Sequence, residues 1–239
     1  MKAMLLAAGF GTRLKPFTNT HPKALAVING KTLLQRNIEY LQQYNIYNVI
    51  VNVHHFAAQI IDAIEKNKGW GSDISISDET DAILETGGGL KRAGWYFKDE
   101  SDFVLMNCDV LTDFALNEMI SFHNTDKPLA TLATTNRESS RYFLFNDENV
   151  LCGWTNVKTG EEKIIRKDKN LNQKAFSGLH IINKKIFDLI NQKEIKFSMV
   201  DVYLSLCNSH KILSFDHSST KFIDVGKPES IAMAEQLFT

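Results

Sequence analysis

The sequence predicts an α/β fold: a mostly parallel central sheet with helices on both faces (Rossmann-like), plus a small mixed or antiparallel lobe. Three observations predict it. Short apolar segments alternate with amphipathic ones up to about Asn124, the rhythm of parallel strands joined by right-handed crossovers. A loop carrying Gly9, Gly11, Pro16, Pro22 and Gly30 spans residues 8–31, directly after the first strand, where a helix would ordinarily follow. From Leu129 the pattern tightens into short strands and turns, the mark of a hairpin-built region.

The elements follow in order. Lys2–Ala7 is apolar without alternation, as suits a strand buried on both faces. After the loop, Thr32 opens a helix with Leu34, Ile38 and Leu41 on one face. Asn48–Val53 reads as a strand, and Phe56–Lys66 as a helix with Ile60, Ile61 and Ile64 inward. A strand at Asp73–Ser77 leads to a polar loop, a Gly-rich turn at Thr86–Gly89 and a helix to about Phe97. Phe103–Met106 is the next buried strand and ends in Asn107-Cys108-Asp109. Strands are then expected at Leu129–Thr135, Tyr142–Phe145, Val150–Asn156, Lys163–Ile165 and Phe176–Ile182, with a turn at Lys158–Glu161. A helix at Ser198–Leu206, strands at Lys211–Phe215 and Phe222–Val225, and a last helix from Pro228 complete the chain as one domain over residues 1–239.

Charge and cysteine usage narrow the class. With 27 basic and 28 acidic side chains the formal charge is −1, which argues against a general nucleic-acid binder. No run reaches the roughly 18 apolar residues of a membrane span, so no membrane association is expected. Met1–Gly9 mimics a signal peptide only superficially, because Arg13 and Lys15 stand where a cleavage site would. Cys108, Cys152 and Cys207 are scattered and odd in number, which fits a reduced, cytoplasmic protein.

The loop carries the chemistry. A dinucleotide fingerprint would need Gly at Leu14, and a Walker loop ending at Gly30-Lys31-Thr32 would need Gly at Leu25; both fail. What remains is a strand, a Gly-containing loop with exposed amides, and two cations, Arg13 and Lys23. Such a loop can approach a polyphosphate closely and neutralise it. Asp109 and Asp224 each follow an apolar strand, where open α/β sheets bind ligands. Two such carboxylates suit Mg²⁺, which completes its shell with water and phosphate oxygens.

Leu6-Ala7-Ala8-Gly9-x-Gly11-x-Arg13-Leu14, Pro16-x-Thr18 and Pro22-Lys23-x-Leu25, followed by Asp109 and Asp224-Val225-Gly226, resemble the signature of the sugar-1-phosphate nucleotidylyltransferases, pyrophosphorylases of GT-A-like fold. Glu85–Leu90, Asn52, His54-His55 and Phe176-Ser177-Gly178 are most similar to the short branch that includes N-acetylmuramate-1-phosphate uridylyltransferase. The resemblance implies an enzyme that joins an NTP to a sugar-1-phosphate with Mg²⁺, best read as UTP with N-acetylmuramate-1-phosphate for cell-wall recycling. The alternatives are a mannose-1-phosphate guanylyltransferase, a glucose-1-phosphate thymidylyl- or uridylyltransferase, or, in another class, a non-catalytic sugar-nucleotide-sensing subunit.

Carried over by position, the resemblance implies nucleotide contacts from Leu6, Ala8, Gly9, Gly11, Thr12, Glu79, Thr86 and Gly87. It implies phosphate contacts from Arg13 and Lys23, metal ligation by Asp109 and Asp224, and sugar contacts from Asn156, Ser177 and Gly178. Residues 1–125 would be the nucleotide-binding half, 126–215 the sugar-binding lobe, and 216–239 the return to the core with the C-terminal helix. A monomer or weak homodimer is expected. One departure stands out. Many relatives carry a Glu-Lys-Pro run whose Lys meets the sugar phosphate, and here the nearest basic pair is Arg166-Lys167 without Pro.

Other features read as structural. His54 and His55 are adjacent; within a strand they would face opposite ways and could not ligate one ion, an objection that weakens if the strand has already ended, and structural or loop histidines are expected. Cys108 reads as a small buried hydrophobe, Trp95-Tyr96-Phe97 as core, and Glu161-Glu162-Lys163 as a solvated hairpin tip. Asp109→Asn and Lys23→Ala are predicted to abolish pyrophosphate release while circular dichroism shows the fold unchanged; a fully active Asp109→Asn protein would remove the metal assignment.

Overall fold

The computed structural model describes residues 1–238. Its first half contains β1 (Ala3–Leu6), β2 (Val27–Ile28), β3 (Lys31–Thr32), α1 (Leu33–Gln42), β4 (Asn48–Val53), α2 (Ala57–Lys66), β5 (Asp73–Asp78), α3 (Glu85–Arg92), β6 (Asp102–Asn107), β7 (Val110–Thr112) and α4 (Leu116–Asp126). The second half supplies β8 (Ala130–Thr135), β9 (Arg141–Phe145), β10 (Leu151–Asn156), β11 (Glu161–Ile164), the long β12 (Asn172–Asn183), α5 (Ile186–Leu189), α6 (Met199–Leu206), β13 (Ile212–Asp216), β14 (Phe222–Asp224) and α7 (Pro228–Leu237).

β6, β1, β4 and β5 run parallel and adjacent at the centre, as the strand–helix rhythm predicts. Alternation along these strands feeds two cores. Ala3, Leu5, Val49 and Val51 pack with Leu34, Ile38 and Leu41 of α1 and Ile60 of α2 on one face. Met4, Ile50 and Leu105 pack with Leu90, Phe97 and Tyr203 on the other. Burial of apolar surface on both faces, at roughly 25 cal/mol per Å², is what holds the helices to the sheet. Thr32 caps α1 by accepting from the Gln35 amide (3.1 Å), and Ser198 with Asp201 forms a capping box on α6.

β12 joins the two regions. Asn172–Lys174 pair with β9 of the antiparallel lobe β9-β10-β11, while Leu179–Asn183 pair with β6 of the core. The register slips between Phe176 and His180, with Gly178 at φ +74°, a bulge that lets one strand serve both.

Two expectations need correction. Residues 8–31 are not an open loop. They form three 3-10 turns (Thr12–Leu14, Phe17–Asn19, Lys23–Leu25) and the β2–β3 hairpin, because Leu14, Ala26 and Ile28 drop into a third cluster with Leu33, Ile223 and Val225. Nor is Thr86–Gly89 a turn before a helix: it lies within α3. Its glycines are there for close packing. A Cβ on Gly87 would lie 2.5 Å from the Phe197 ring, and one on Gly88 would lie 2.3 Å from the Ile195 carbonyl oxygen. β7 and the single-turn α5, too short to register in the sequence pattern, appear in addition. Among the described residues no helix is long and apolar enough to cross a membrane, and all three cysteines are free and buried.

Gly88→Ala must therefore displace the segment around Ile195, and a melting temperature lower by about 3–8 °C is expected from overpacking against backbone. An unchanged melting temperature would mean that this segment moves aside freely.

Candidate active site

A cleft of about 450 Å³ opens at the carboxyl ends of β1, β4, β5 and β6. Leu6–Phe10, Asn52, His54, Glu79, Asn107, Cys108 and Asp109 come from the strand ends. Lys23, Ala24, Ile83–Thr86 and Lys196 complete the wall.

The first loop is set by hydrogen bonds rather than by chance turns. The Ala7 amide donates to Asn52 Oδ1 (2.7 Å), and the same Asn52 donates from Nδ2 to Glu79 Oε1 (2.9 Å). Gly11 adopts φ +61°, and its carbonyl accepts from both Thr18 Oγ1 and the Leu14 amide at 2.8 Å. A Cβ there would lie 2.8 Å from Thr18 Cγ2 and 2.9 Å from Lys23 Cβ, so the close approach excludes other side chains. A Cβ on Gly9, by contrast, would meet nothing within 4 Å; that position opens outward.

Charge is concentrated where the loop folds back. Lys23 is 12% exposed and its ammonium contacts the Asp109 carboxylate, with Asp224 Oδ1 3.8 Å away. Arg13, mostly exposed, lies 4.0 Å from Asp224 Oδ2. Three backbone contacts fix Asp109. The Cys108 amide donates to Leu6 O (3.1 Å), Asn37 Nδ2 donates to Cys108 O (2.9 Å), and the Val225 amide donates to Asp109 O (2.9 Å). Pairing of β7 with β14 sets Asp224 opposite Val110 and so beside Asp109. Burial and then the neighbouring Asp109 push the Asp224 carboxyl above its ordinary range, against the pull of Lys23 and Arg13.

The donor set fits Mg²⁺. Two hard carboxylates converge, and among the described residues no three His, Cys, Asp or Glu side chains are grouped to hold a metal. That is too few ligands for an all-protein cage and enough for an ion that keeps water and phosphate oxygens. Cys108 is no nucleophile, since burial and then Asp109 push its thiol far up.

Leu6, Ala8, Gly9, Lys23, Glu79, Thr86 and Asp109 line the cleft together. Glu79 is buried, and burial raises its carboxyl pKa. Thr86 Oγ1 accepts from the Met199 amide (2.9 Å), and the Gly87 N–H is spent on Phe197 O (2.9 Å). Gly11, Thr12, Arg13 and Asp224 are outside the lining, with Thr12 exposed and Arg13 and Asp224 tied to Lys23's neighbourhood. Gly178 packs on Asn107, where a Cβ would lie 2.8 Å from Nδ2. Ser177 Oγ is buried against His217 Nε2 (2.8 Å), and burial lowers the His217 pKa to about 4. The structure does not bring Asn156 to the cleft: its Oδ1 accepts from the Lys158 amide (3.1 Å) in the β10–β11 turn. Arg166 likewise points away and donates to Asn208 O (3.1 Å).

Sequence reasoning assigned no role to Asn52, Asn107, Lys196 or Arg137. Arg137 donates to Phe176 O (2.7 Å) and lies 4.8 Å over the Phe222 ring, which shares a strand face with Asp224. The Asn52 signal was present as a polar residue inside an apolar strand. Lys196 pairs with Glu85 at 3.6 Å, and no local pattern marks it.

A profile of the nucleotidyl transferase family matches residues 2–239. Curated relatives include mannose-1-phosphate guanyltransferase 2 of Candida glabrata, 28% identical over 242 residues, and mannose-1-phosphate guanyltransferase of Saccharomyces cerevisiae, 27% identical over 242 residues. Both alignments cover 100% of this chain, which spans 64% of the length of those relatives. Among solved structures, HddC from Yersinia pseudotuberculosis aligns with TM-score 0.79 and 25% identity over 100% of this chain and 99% of that one. A putative glucose-1-phosphate thymidylyltransferase from Bacillus anthracis aligns with TM-score 0.84 and 15% identity, over 99% and 94% of the two chains.

The raised Asp224 pKa has a consequence for stability. A carboxyl that holds its proton more tightly folded than unfolded favours the folded state at acid pH, and that contribution is lost as pH rises through the folded pKa. Asp224→Asn is expected to raise the melting temperature at pH 7 by on the order of 1 °C, the gain being limited by solvent at this half-exposed group. The difference from wild type should shrink towards pH 4. A less stable variant at pH 7 would show that the attraction of Lys23 and Arg13 outweighs the Asp109 repulsion.

Proposed function

The chain belongs to the nucleotidyl transferase family, and on that premise we propose that it joins a nucleoside triphosphate to a sugar-1-phosphate and releases pyrophosphate. The observation that carries this reading is the convergence of Asp109, Asp224 and the largely buried Lys23 beneath a glycine loop at the strand ends.

The chemistry asks for little else. A sugar-phosphate oxygen is already anionic at neutral pH, so it needs no strong base and no covalent intermediate. It attacks the α-phosphorus, the new O–P bond forms as the Pα–O bond to the β-phosphate breaks, and pyrophosphate leaves with the electron pair. The barrier lies in bringing anions together in line, which positioning and countercharge lower. Lys23 would lie along the α-phosphate, Arg13 at the leaving phosphates, and the amides of Ala8, Gly9 and Gly11 along the chain. Asp109 and Asp224 would hold Mg²⁺, which neutralises charge on the phosphates when bound. Removing Lys23 would then cost on the order of 10²–10³ in rate. Residues 1–125 would bind the nucleotide, and the lobe over 126–215, with Ser177 and Gly178 at its bulge, would frame the sugar.

The finer reading shifts from the first expectation. The curated relatives are mannose-1-phosphate guanyltransferases, which favour GTP with mannose-1-phosphate over UTP with N-acetylmuramate-1-phosphate. The sensor reading is the weaker one, because Arg13, Lys23, Asp109 and Asp224 are all retained and Lys23, Asp109 and Asp224 converge.

Pyrophosphate release should be measured with GTP, UTP, dTTP, CTP and ATP against a panel of sugar-1-phosphates, with and without Mg²⁺. GTP with mannose-1-phosphate is expected to be fastest, and only with the metal. Faster release with UTP and N-acetylmuramate-1-phosphate would restore the first expectation, and no release with any pair would favour the sensor.

A further inference from the structure

His54, adjacent to His55 at the end of β4, is read from the sequence as a structural histidine. The structure gives it a more particular setting. Its Nδ1 lies 2.7 Å from the carbonyl oxygen of Glu79. A carbonyl can only accept, so Nδ1 carries the hydrogen, and in that tautomer Nε2 holds the ring's lone pair. Among the described residues nothing pairs with that atom. The ring is also held from the side: Phe10, 42% exposed on the glycine loop, meets it edge to face at 5.5 Å and 84°. His54 is therefore a pinned acceptor in the cleft wall.

The neighbour is another acceptor. The Glu79 carboxylate lines the same wall, buried, with Oε1 accepting from Asn52. Among the described residues no side chain donates to its second oxygen. An NTP is short of donors: its phosphates have none, the ribose offers two hydroxyls, and its N–H groups, which alone differ from one nucleotide to another, are all on the base. Of the common bases only guanine places two N–H groups side by side, at N1 and the 2-amino group. Adenine and cytosine each turn a ring acceptor beside a single amino group, and uracil flanks its one N–H with two carbonyls.

We propose that His54 is a specificity-determining residue whose Nε2 accepts an N–H from the Watson–Crick edge of a guanine base beside Glu79. The inference rests on the nucleotidyl-transfer reading above and adds to it the side chain that selects the base.

Equilibrium calorimetry with Mg²⁺ and GTP, ITP, ATP or UTP, without sugar-1-phosphate, tests it on the full chain. Wild type should bind GTP more tightly than ATP and UTP. His54→Leu should weaken GTP roughly tenfold, the effect of one lost hydrogen-bond acceptor at a closed site, and leave ATP unchanged, which also shows that the cleft is intact. His54→Gln, which keeps an acceptor, should recover part of the loss. ITP lacks the 2-amino group, so its loss in step with GTP would place the contact at N1–H, and its indifference would place it at the amino group. GTP affinity untouched by His54→Leu, GTP and ATP weakened together, or a wild type that prefers UTP would each overturn the proposal. A wild type that binds no nucleotide at all would overturn the nucleotidyl-transfer reading and this one with it.

Discussion

Two carboxylates forced together by backbone pairing, and one ammonium set between them, are the constraint from which the rest of the site follows. β14 pairs with β7, and the Val225 amide donates to Asp109 O, so Asp224 and Asp109 are neighbours whatever their charges prefer. Left alone they would repel, and burial first and then this repulsion push the Asp224 carboxyl above its ordinary range. Lys23 supplies the countercharge, but it is far away in sequence and must be carried there. The 3-10 turns of residues 12–25 carry it, pinned by Leu14 in the third apolar cluster and by the crowding of Gly11 against Thr18 and Lys23. The length of the loop is thus an electrostatic requirement met by packing.

A second relay fixes the other rim of the cleft. Asn52 accepts from the Ala7 amide and donates to Glu79, linking the ends of β1, β4 and β5 through one side chain. Asn52 sits opposite Leu6 in the β1–β4 register, so the tie spans neighbouring strands at the point where the glycine loop leaves the sheet. An amide in this position satisfies two buried partners at once, which rigidifies the wall without adding charge. Nearby, Glu85 adopts φ +59° at the start of α3, a conformation that non-glycine residues rarely hold unless surrounding structure imposes it. The contacts between α3 and the segment before α6, including Gly87 and Gly88 donating to Phe197 O, are what impose it.

Much of this was legible in the sequence, and the remainder was hidden for physical reasons. Unbroken apolar runs for the strands and a 3.6-residue period for the helices identify the parallel core because burial is local to each element. Gly9, Gly11, Arg13, Lys23, Asp109 and Asp224 stand out in the sequence as candidates for phosphate and metal chemistry because a loop or a strand end announces them. Asn52 and His54 stand out only as polar residues at the end of an apolar strand, and Lys196 not at all, because their partners depend on register and on which distant segment packs against α3. The glycines of Thr86–Gly89 mislead for a related reason. Local propensity reads them as a turn, whereas the need for a bare surface beneath Phe197 and Ile195 keeps them in a helix. Asn156 sits in a strand that the sequence places well, yet its side chain serves the hairpin turn rather than the cleft.

If the lobe frames a sugar as proposed above, its strand pairing limits how the sugar could be held. β12 serves the antiparallel lobe with its first residues and the core with its last, and the change occurs at Ser177 and Gly178. Ser177 is committed to His217, so at that point the strand offers backbone rather than side-chain groups. Arg166, in the sequence stretch where a basic contact was sought, is directed to Asn208 instead. On the nucleotidyl-transfer reading proposed above, a cation for a second phosphate would come from another element, and two lie nearby. Lys196 lines the cleft and pairs with Glu85 at 3.6 Å, and Arg137 lies over Phe222 on the strand face of Asp224. Arg137 is the more committed, stacked and bonded to Phe176 O, with burial pulling its pKa down against Asp224. On the reading proposed above, Lys196, half-exposed at the rim, is the freer of the two to meet such a phosphate, and Arg137 is held by the contacts it already makes.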